Sequence, residues 1–273
     1  LVSVPEGLSV GDDASAALGV TRYVPPQTHS WGTDSNAAKA PNDVFGLSEY
    51  DVENIWNIDQ FASLDGKTTS QTEMEWSLSE KIHGCNARFT FNKDGWHMGS
   101  KRRWVHGDVD RPSVWERAFN NLCAGKSEDW MGDLKSLAHR YVLFGEVYGS
   151  VQDLKYGADG TVKVVFFDMY DKTECKFVEA NKVNWVLNQY GLPTVPNLGT
   201  VKGNLSLAVE LARDMLKENP MSRMHPGTIC EGIVIRPTFD DLLVNGNRGP
   251  VRLTVKVISD AYHQRNGAED NAD

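Results

Sequence analysis

The sequence predicts an α+β chain built on antiparallel sheets, and three observations predict it. Residues 76–82 and 85–91 alternate apolar and polar side chains at period two, the pattern of strands with one buried face. Helices with readable start signals follow, mixed irregularly with further strands rather than in a βαβαβ repeat. No self-similarity recurs at a spacing of about 20–50 residues, which excludes a solenoid or a propeller.

In chain order, residues 1–43 are rich in Gly, Pro, Ser, Asp and Ala, with Pro25-Pro26 and Ala40-Pro41 as breakers. They read as an N-terminal arm or the remnant of an upstream domain. Residues 44–262 form the main domain. The strand over 76–82 carries Lys81 at its end, and the strand over 85–91 follows after a short turn. Ser113 opens a Ser-x-x-Glu capping box with Glu116, and Val114, Trp115, Ala118, Phe119 and Leu122 recur at helical spacing behind it. A second helix is expected over 129–139, running into a strand over 141–148. The Val- and Phe-rich run over 162–169 reads as a buried strand. A third helix over 205–216 is stopped by Pro220. Strands over 231–236 and 251–258 close the domain, and the polar, acidic residues 263–273 read as a frayed tail.

Composition narrows the class. Eight Trp, ten Phe and eight Tyr in 273 residues are too many for a solvated coil. No uninterrupted apolar run approaches the length of a membrane span. A net charge of −9 argues against coating nucleic acid through bulk charge, yet permits a local basic groove. Cys85, Cys123, Cys175 and Cys230 form no CxxC pair, so neither a zinc ribbon nor a disulfide framework is expected, and the default setting is reducing and cytoplasmic. Residues 1–11 lack the basic and apolar regions of a signal peptide, and the start at Leu1 reads as a piece of something longer.

The chemistry concentrates in Ser79-Glu80-Lys81-Ile82-His83-Gly84-Cys85-Asn86. A lysine at the end of a half-buried strand is placed for partial desolvation, which favours a nucleophilic amine. Gly84 would let backbone approach a phosphate closely. His83 reads as a satisfied turn or core residue, because no second His or Cys lies at ligand spacing. Trp76, Trp96, Trp104 and Trp115 read mainly as packing residues.

Five further stretches in order extend the pattern. Glu80-Lys81-Ile82-His83-Gly84 resembles nucleotidyltransferase motif I, and Ser100-Lys101-Arg102-Arg103 stands where motif Ia is expected. Phe144-Gly145-Glu146-Val147-Tyr148-Gly149 resembles motif III, and Val165-Phe166-Phe167-Asp168-Met169-Tyr170 resembles motif IIIa. Glu231-Gly232-Ile233-Val234-Ile235-Arg236 is similar to motif IV, and Leu253-Thr254-Val255-Lys256-Val257-Ile258 to motif V. Each is weak alone; six in order are strong. The chain thus resembles the covalent nucleotidyltransferases, with 44–262 as the nucleotidyltransferase (ATP-grasp-like ligase) domain of antiparallel sheets flanked by helices. DNA ligases and capping enzymes carry Lys-x-Asp-Gly at the nucleophile. The Lys81-x-His83-Gly84 pattern with Asn86 resembles instead ATP-dependent RNA ligases of the nick-sealing type. The stretches 19–26 and 50–55 resemble the branch whose OB-type domain lies N-terminal to the catalytic one. Only 17 residues follow Lys256, too few for a C-terminal OB domain.

The resemblance implies a reaction and its residues. Lys81 would attack ATP to form lysyl-AMP, AMP would pass to a 5′-phosphate, and a 3′-OH would then displace AMP. Glu146 would receive the ribose hydroxyls, and Phe167, with Phe166 as its alternate, would stack on adenine. Glu231 would hold Mg²⁺ or Mn²⁺. Lys256, Lys101 and Arg102 would neutralise the phosphates. Asn86 would position the phosphate or a metal-bound water, and Arg88 would serve from the same strand face. Glu80 and Ile82, flanking the nucleophile, complete the nucleotide-binding set. Motif V departs from the pattern in having one lysine, with Thr254 or Ile258 in the second place. The following Ser259 favours Ile258, and Arg252 is available to compensate. The expected partner is a nicked duplex with RNA on the 3′-OH side, with no membrane and a monomeric chain. The alternatives are a DNA nick ligase or a catalytically impaired nucleotide- or RNA-binding module.

Overall fold

The computed structural model describes residues 37–38, 40–44, 47, 50, 52–54, 73–105, 110–239, 243–246 and 249–265. All lie in one compact unit, Asp34–Asn271. Most of the expected arm over 1–43, including the 19–26 stretch, and nearly all of the expected tail therefore fall outside the described residues.

The elements in order are β1 (Ala37–Ala38), a 3₁₀ turn (Asn42–Val44), β2 (Glu53–Asn54), β3 (Met74–Lys81), β4 (Cys85–Asn92), β5 (Gly95–Gly99) and β6 (Trp104–Val105). Helices α1 (Val114–Cys123) and α2 (Glu128–Arg140) precede β7 (Tyr141–Gly149), β8 (Val162–Asp171) and β9 (Lys176–Phe177). Then come α3 (Ala180–Gln189), β10 (Asn197–Gly203), α4 (Leu205–Glu218), β11 (Gly232–Pro237), β12 (Leu243–Gly246), β13 (Gly249–Arg252), β14 (Val255–Ile258) and α5 (Asp260–His263).

Two sheets organise these strands. One has seven strands in the order β1-β6-β5-β4-β7-β8-β9, and the other has five in the order β10-β3-β11-β14-β2. Strands β12 and β13 form a separate hairpin. Pairing between the described strands is antiparallel except for β14 with β2, so the expected α+β class on antiparallel sheets is what the chain adopts. Helices α1, α2 and α3 cover one face of the larger sheet, where Phe119, Leu134, Val183 and Leu187 pack on Phe89, Val164, Phe166 and Met169. Helix α4 covers the smaller sheet, setting Leu205, Val209 and Ala212 against Trp76, Leu78, Ile233 and Ile235. The capping box predicted at Ser113 is formed. Its backbone N–H donates to Glu116 Oε2 at 2.7 Å, and the Glu116 N–H donates to Ser113 Oγ at 3.3 Å.

Two differences have physical causes. The run over 251–258 is not one strand. Leu253, Thr254 and Val255 are buried in succession where the backbone changes partner between β13, paired with β12, and β14, paired with β11. Helix α3 and strand β10 carried no readable signal. Glu179, at the α3 N-cap, makes no side-chain cap. The described side chains of β10 are mostly exposed, as suits a sheet edge.

Candidate active site

The nucleophile candidate sits where the chain leaves one sheet for the other. β3 belongs to the smaller sheet and β4 to the larger, and Ile82, His83 and Gly84 make the crossing. Alternation along β3 sends Lys81 toward a cleft between the sheets. It sends the Glu80 carboxylate to the opposite side, where it accepts the backbone N–H groups of Arg223 at 2.7 Å and Met224 at 3.2 Å. Glu80 thus braces the turn after α4 with its side chain. Gly84 has a packing reason to be glycine. A Cβ there would lie 2.2 Å from the Val147 carbonyl oxygen and 2.9 Å from Glu146 Cγ. Gly84→Ala is expected to cost about 1–3 kcal/mol by overpacking, read as a lower melting temperature. It is also expected to disturb Glu146.

Around Lys81 the charges are tightly arranged. Its Nζ lies 2.8 Å from Glu231 Oε1, the residue just before β11. Glu231 Oε2 is buried and accepts no hydrogen bond among the described residues; His83 Nδ1 lies 3.9 Å from it. His83 is itself buried, with Nε2 at 2.6 Å from Asp153 Oδ1, a charge contact that does not meet hydrogen-bond geometry. Burial pushes the His83 ring below its ordinary pKa, and the neighbouring Glu231 and Asp153 only partly restore it. Burial alone would raise Asp153, but Arg265 and His83 hold its carboxyl below the usual range. Cys230, next to Glu231, is pushed by burial up to about 12 and remains a neutral thiol.

The cleft walls bring most of the predicted residues together. Asn86 on β4 faces Glu146 on β7 in direct register, and both line the cleft with Lys81, Ile82, Lys101, Phe167 and Lys256. Phe167 arrives there through a β-bulge. Phe144 pairs with Asp168 and Gly145 with Phe166, so Phe167 is the extra residue on β8. The extra residue shifts the alternation by one. Phe166 and Met169 face the helices, while Phe167 and Asp168 both turn the other way, so the choice left open between Phe166 and Phe167 falls to Phe167.

Three predicted residues lie elsewhere. Arg88 shares the Asn86 face, but is buried with its guanidinium 4.1 Å from the Trp104 ring. Arg102 is exposed on the turn between β5 and β6, outside the cleft lining. Arg252 does not stand in for the missing motif V lysine, because it is committed to Asp168 and stacks 4.1 Å from the Phe177 ring. Ile258 shares the Lys256 side of β14.

A family model described as RNA ligase matches residues 74–258, from the first residue of β3 to the last of β14. The chain belongs to the RNA ligase family. Solved structures of Naegleria gruberi RNA ligase are similar to it. The structure with PPi is 18% identical with a TM-score of 0.62, covering 94% of this chain and 68% of that one. A variant with ATP and Mn is 19% identical at the same TM-score and coverage, as is another with AMP and Mn. At that identity the likeness is one of fold, and this RNA ligase family domain shares the mixed helix and antiparallel-sheet architecture of that RNA ligase. No curated protein sequence matches the chain.

One charged cluster lies beside the cleft of this RNA ligase family member. Asp168 is fully buried and lies 2.6 Å from Arg236 Nη1, in contact with Arg252. It accepts the Tyr50 hydroxyl at 2.8 Å. Arg236 Nη2 also donates to the Phe167 carbonyl at 2.9 Å, so the cluster fixes the backbone from which the cleft aromatic projects. A charged residue inside the apolar run of β8 was the available signal. A divalent cation also fits the site. Glu231 offers a buried oxygen without a hydrogen bond. No group of three or more His, Cys, Asp or Glu suited to a metal occurs among the described residues. A hard cation held there would keep most of its ligands as waters and phosphate oxygens. No helix among the described residues is long and apolar enough to cross a membrane.

Proposed function

We propose that this chain is the catalytic domain of an ATP-dependent RNA ligase joining 3′-OH and 5′-phosphate ends through lysyl-AMP on Lys81. Its expected substrate is a nicked duplex with RNA on the 3′-OH side. One observation carries the reading: Lys81 Nζ stands 2.8 Å from Glu231 in a cleft that also gathers Asn86, Glu146, Phe167 and Lys256. The likeness in fold to a Naegleria RNA ligase solved with ATP and Mn supports ATP and a divalent metal as the reactants.

In the first step the Lys81 amine forms a bond to the α-phosphorus of ATP, and the bond to pyrophosphate breaks. The amine must shed a proton beforehand, and Glu231 is the carboxylate in contact with it. In the second step an oxygen of the RNA 5′-phosphate takes the adenylyl group and Lys81 leaves. In the third, the 3′-OH attacks that phosphate and AMP departs. All three are phosphoryl transfers, so the protein contributes placement and charge. Phe167 offers the adenine a flat face, Glu146 accepts from ribose hydroxyls, and Lys256 and Lys101 face the phosphates. Mg²⁺ or Mn²⁺ held at Glu231 would neutralise phosphate oxygens.

The test is incubation of the chain with α-labelled ATP and Mg²⁺ or Mn²⁺. The expected result is acid-labile label on the protein that added pyrophosphate strips back to ATP. Bound ATP with no label on the chain would sink the ligase reading and leave a nucleotide-binding module.

A further inference from the structure

The catalytic turn is gripped from behind by the last described segment. Residues 259–265 follow β14 and reach the turn directly at His83 and indirectly through Glu231 and Asp153. The Ser259 N–H donates to the Glu231 carbonyl at 2.9 Å. The Tyr262 hydroxyl lies 3.0 Å from His83 Nδ1. Arg265 Nε donates to Asp153 Oδ2 at 2.7 Å, and the other oxygen of Asp153 lies 2.6 Å from His83 Nε2. Arg265 also folds over the Tyr262 ring at 3.5 Å and donates to its carbonyl at 2.8 Å.

The loop bearing Asp153 holds the same turn. Tyr156 Oη accepts the His83 backbone N–H at 2.9 Å, and Gln152 Nε2 donates to the Gly84 carbonyl at 3.3 Å. Tyr156 does so from a left-handed backbone conformation, φ 49°, which a tyrosine adopts only when its surroundings enforce it. His83 Nε2 approaches Asp153 Oδ1 to 2.6 Å without meeting hydrogen-bond angles, and the ring proton belongs on Nε2, the nitrogen that faces the carboxylate. Its Nδ1 lone pair then receives the Tyr262 hydroxyl proton. The ring is fixed in tautomer and orientation with its Nδ1 edge toward Glu231.

We infer that segment 259–265 is a strut that holds the His83-Gly84 turn and Glu231 in register with Lys81, making Tyr262 and Arg265 positioning residues for adenylylation. A Lys-x-Asp-Gly protein carries the anion in the motif itself. Here a histidine occupies that place, and the anion stands one residue further out, at Asp153, anchored by Arg265. The inference rests on the ligase reading for its chemistry, but the strut can be read without it.

Two measurements on the full chain test it. The first is the rate of label transfer from ATP to Lys81 across ATP concentrations. Arg265→Ala and Tyr262→Phe are expected to slow the saturated rate by roughly ten- to hundredfold, with half-saturation within about twofold of the parent. Arg265→Lys, which keeps a cation near Asp153, should recover part of that loss. An unchanged saturated rate in Arg265→Ala would overturn the inference. So would a loss carried by half-saturation with no recovery in Arg265→Lys. The second measurement is nitrogen NMR of the histidine rings, with His83 identified by its loss in His83→Gln. A single tautomer protonated on Nε2 is expected in the parent, giving way to averaging in Arg265→Ala. A freely exchanging His83 ring in the parent would overturn the strut even if Lys81 takes label. A locked ring in a parent that takes no label would remove the ligase reading and leave the strut standing.

Discussion

Lys81→Arg is expected to abolish covalent AMP on the chain. The substitution keeps a cation opposite Glu231, whose carboxylate now contacts the lysine at 2.8 Å, so the turn keeps its charge balance. It removes the chemistry, because a guanidinium stays protonated at any pH the protein survives and has no lone pair to offer. The label should fall by about 10⁴-fold or more, below detection. A drop confined to Lys81→Ala, with label persisting in Lys81→Arg, would place the nucleophile elsewhere. The same variant makes a second prediction. A strand supplied already bearing AMP on its 5′-phosphate no longer needs the lysine, since the activated anhydride is already formed. Joining of that strand should therefore survive in Lys81→Arg, with Phe167, Glu146 and Lys256 still in the cleft.

The pattern of what the sequence disclosed follows from where its information is local. Strand β3 was legible because it buries one face, and α1 because its capping box is written within four residues. The site was legible where a residue's direction follows from strand alternation, as with Lys81 and Asn86. It was not legible where long-range geometry resets that alternation. The bulge at Phe167 depends on how β7 and β8 pair, and no local pattern in β8 announces it. Arg252 could compensate for the missing lysine only if 251–258 were one continuous strand; the change of partner at Leu253-Thr254 leaves it with Asp168 instead. The grip on His83 joins positions 83, 153, 231, 262 and 265, which no spacing rule connects. A histidine where DNA ligases and capping enzymes carry aspartate was the visible hint that an anion had to come from somewhere else.

Asp168→Ala is the substitution expected to harm the fold most. Asp168 is fully buried between Arg236 and Arg252, and both guanidiniums are themselves largely buried. Removing the carboxylate strands two cations with nothing to offset their desolvation, a loss of about 3–5 kcal/mol. That would appear as a large fall in melting temperature. Replacing the whole cluster with apolar residues should cost far less, because no orphaned charge remains. The cluster also sets the direction of the pH effect. Burial alone would raise the Asp168 carboxyl, but Arg236 and Arg252 hold it below the ordinary carboxylate value. A group depressed in the folded state contributes stability above its unfolded pKa and loses it as pH falls through the folded one. Acid titration should therefore destabilise the parent below about pH 4, and this component should be missing from Asp168→Ala. Tyr50 gives up its acceptor in the same substitution, and the Phe167 carbonyl keeps only an unanchored Arg236. Nucleotide affinity should then fall even in the fraction that remains folded, because the aromatic wall of the cleft is held by the same charges that hold the sheet.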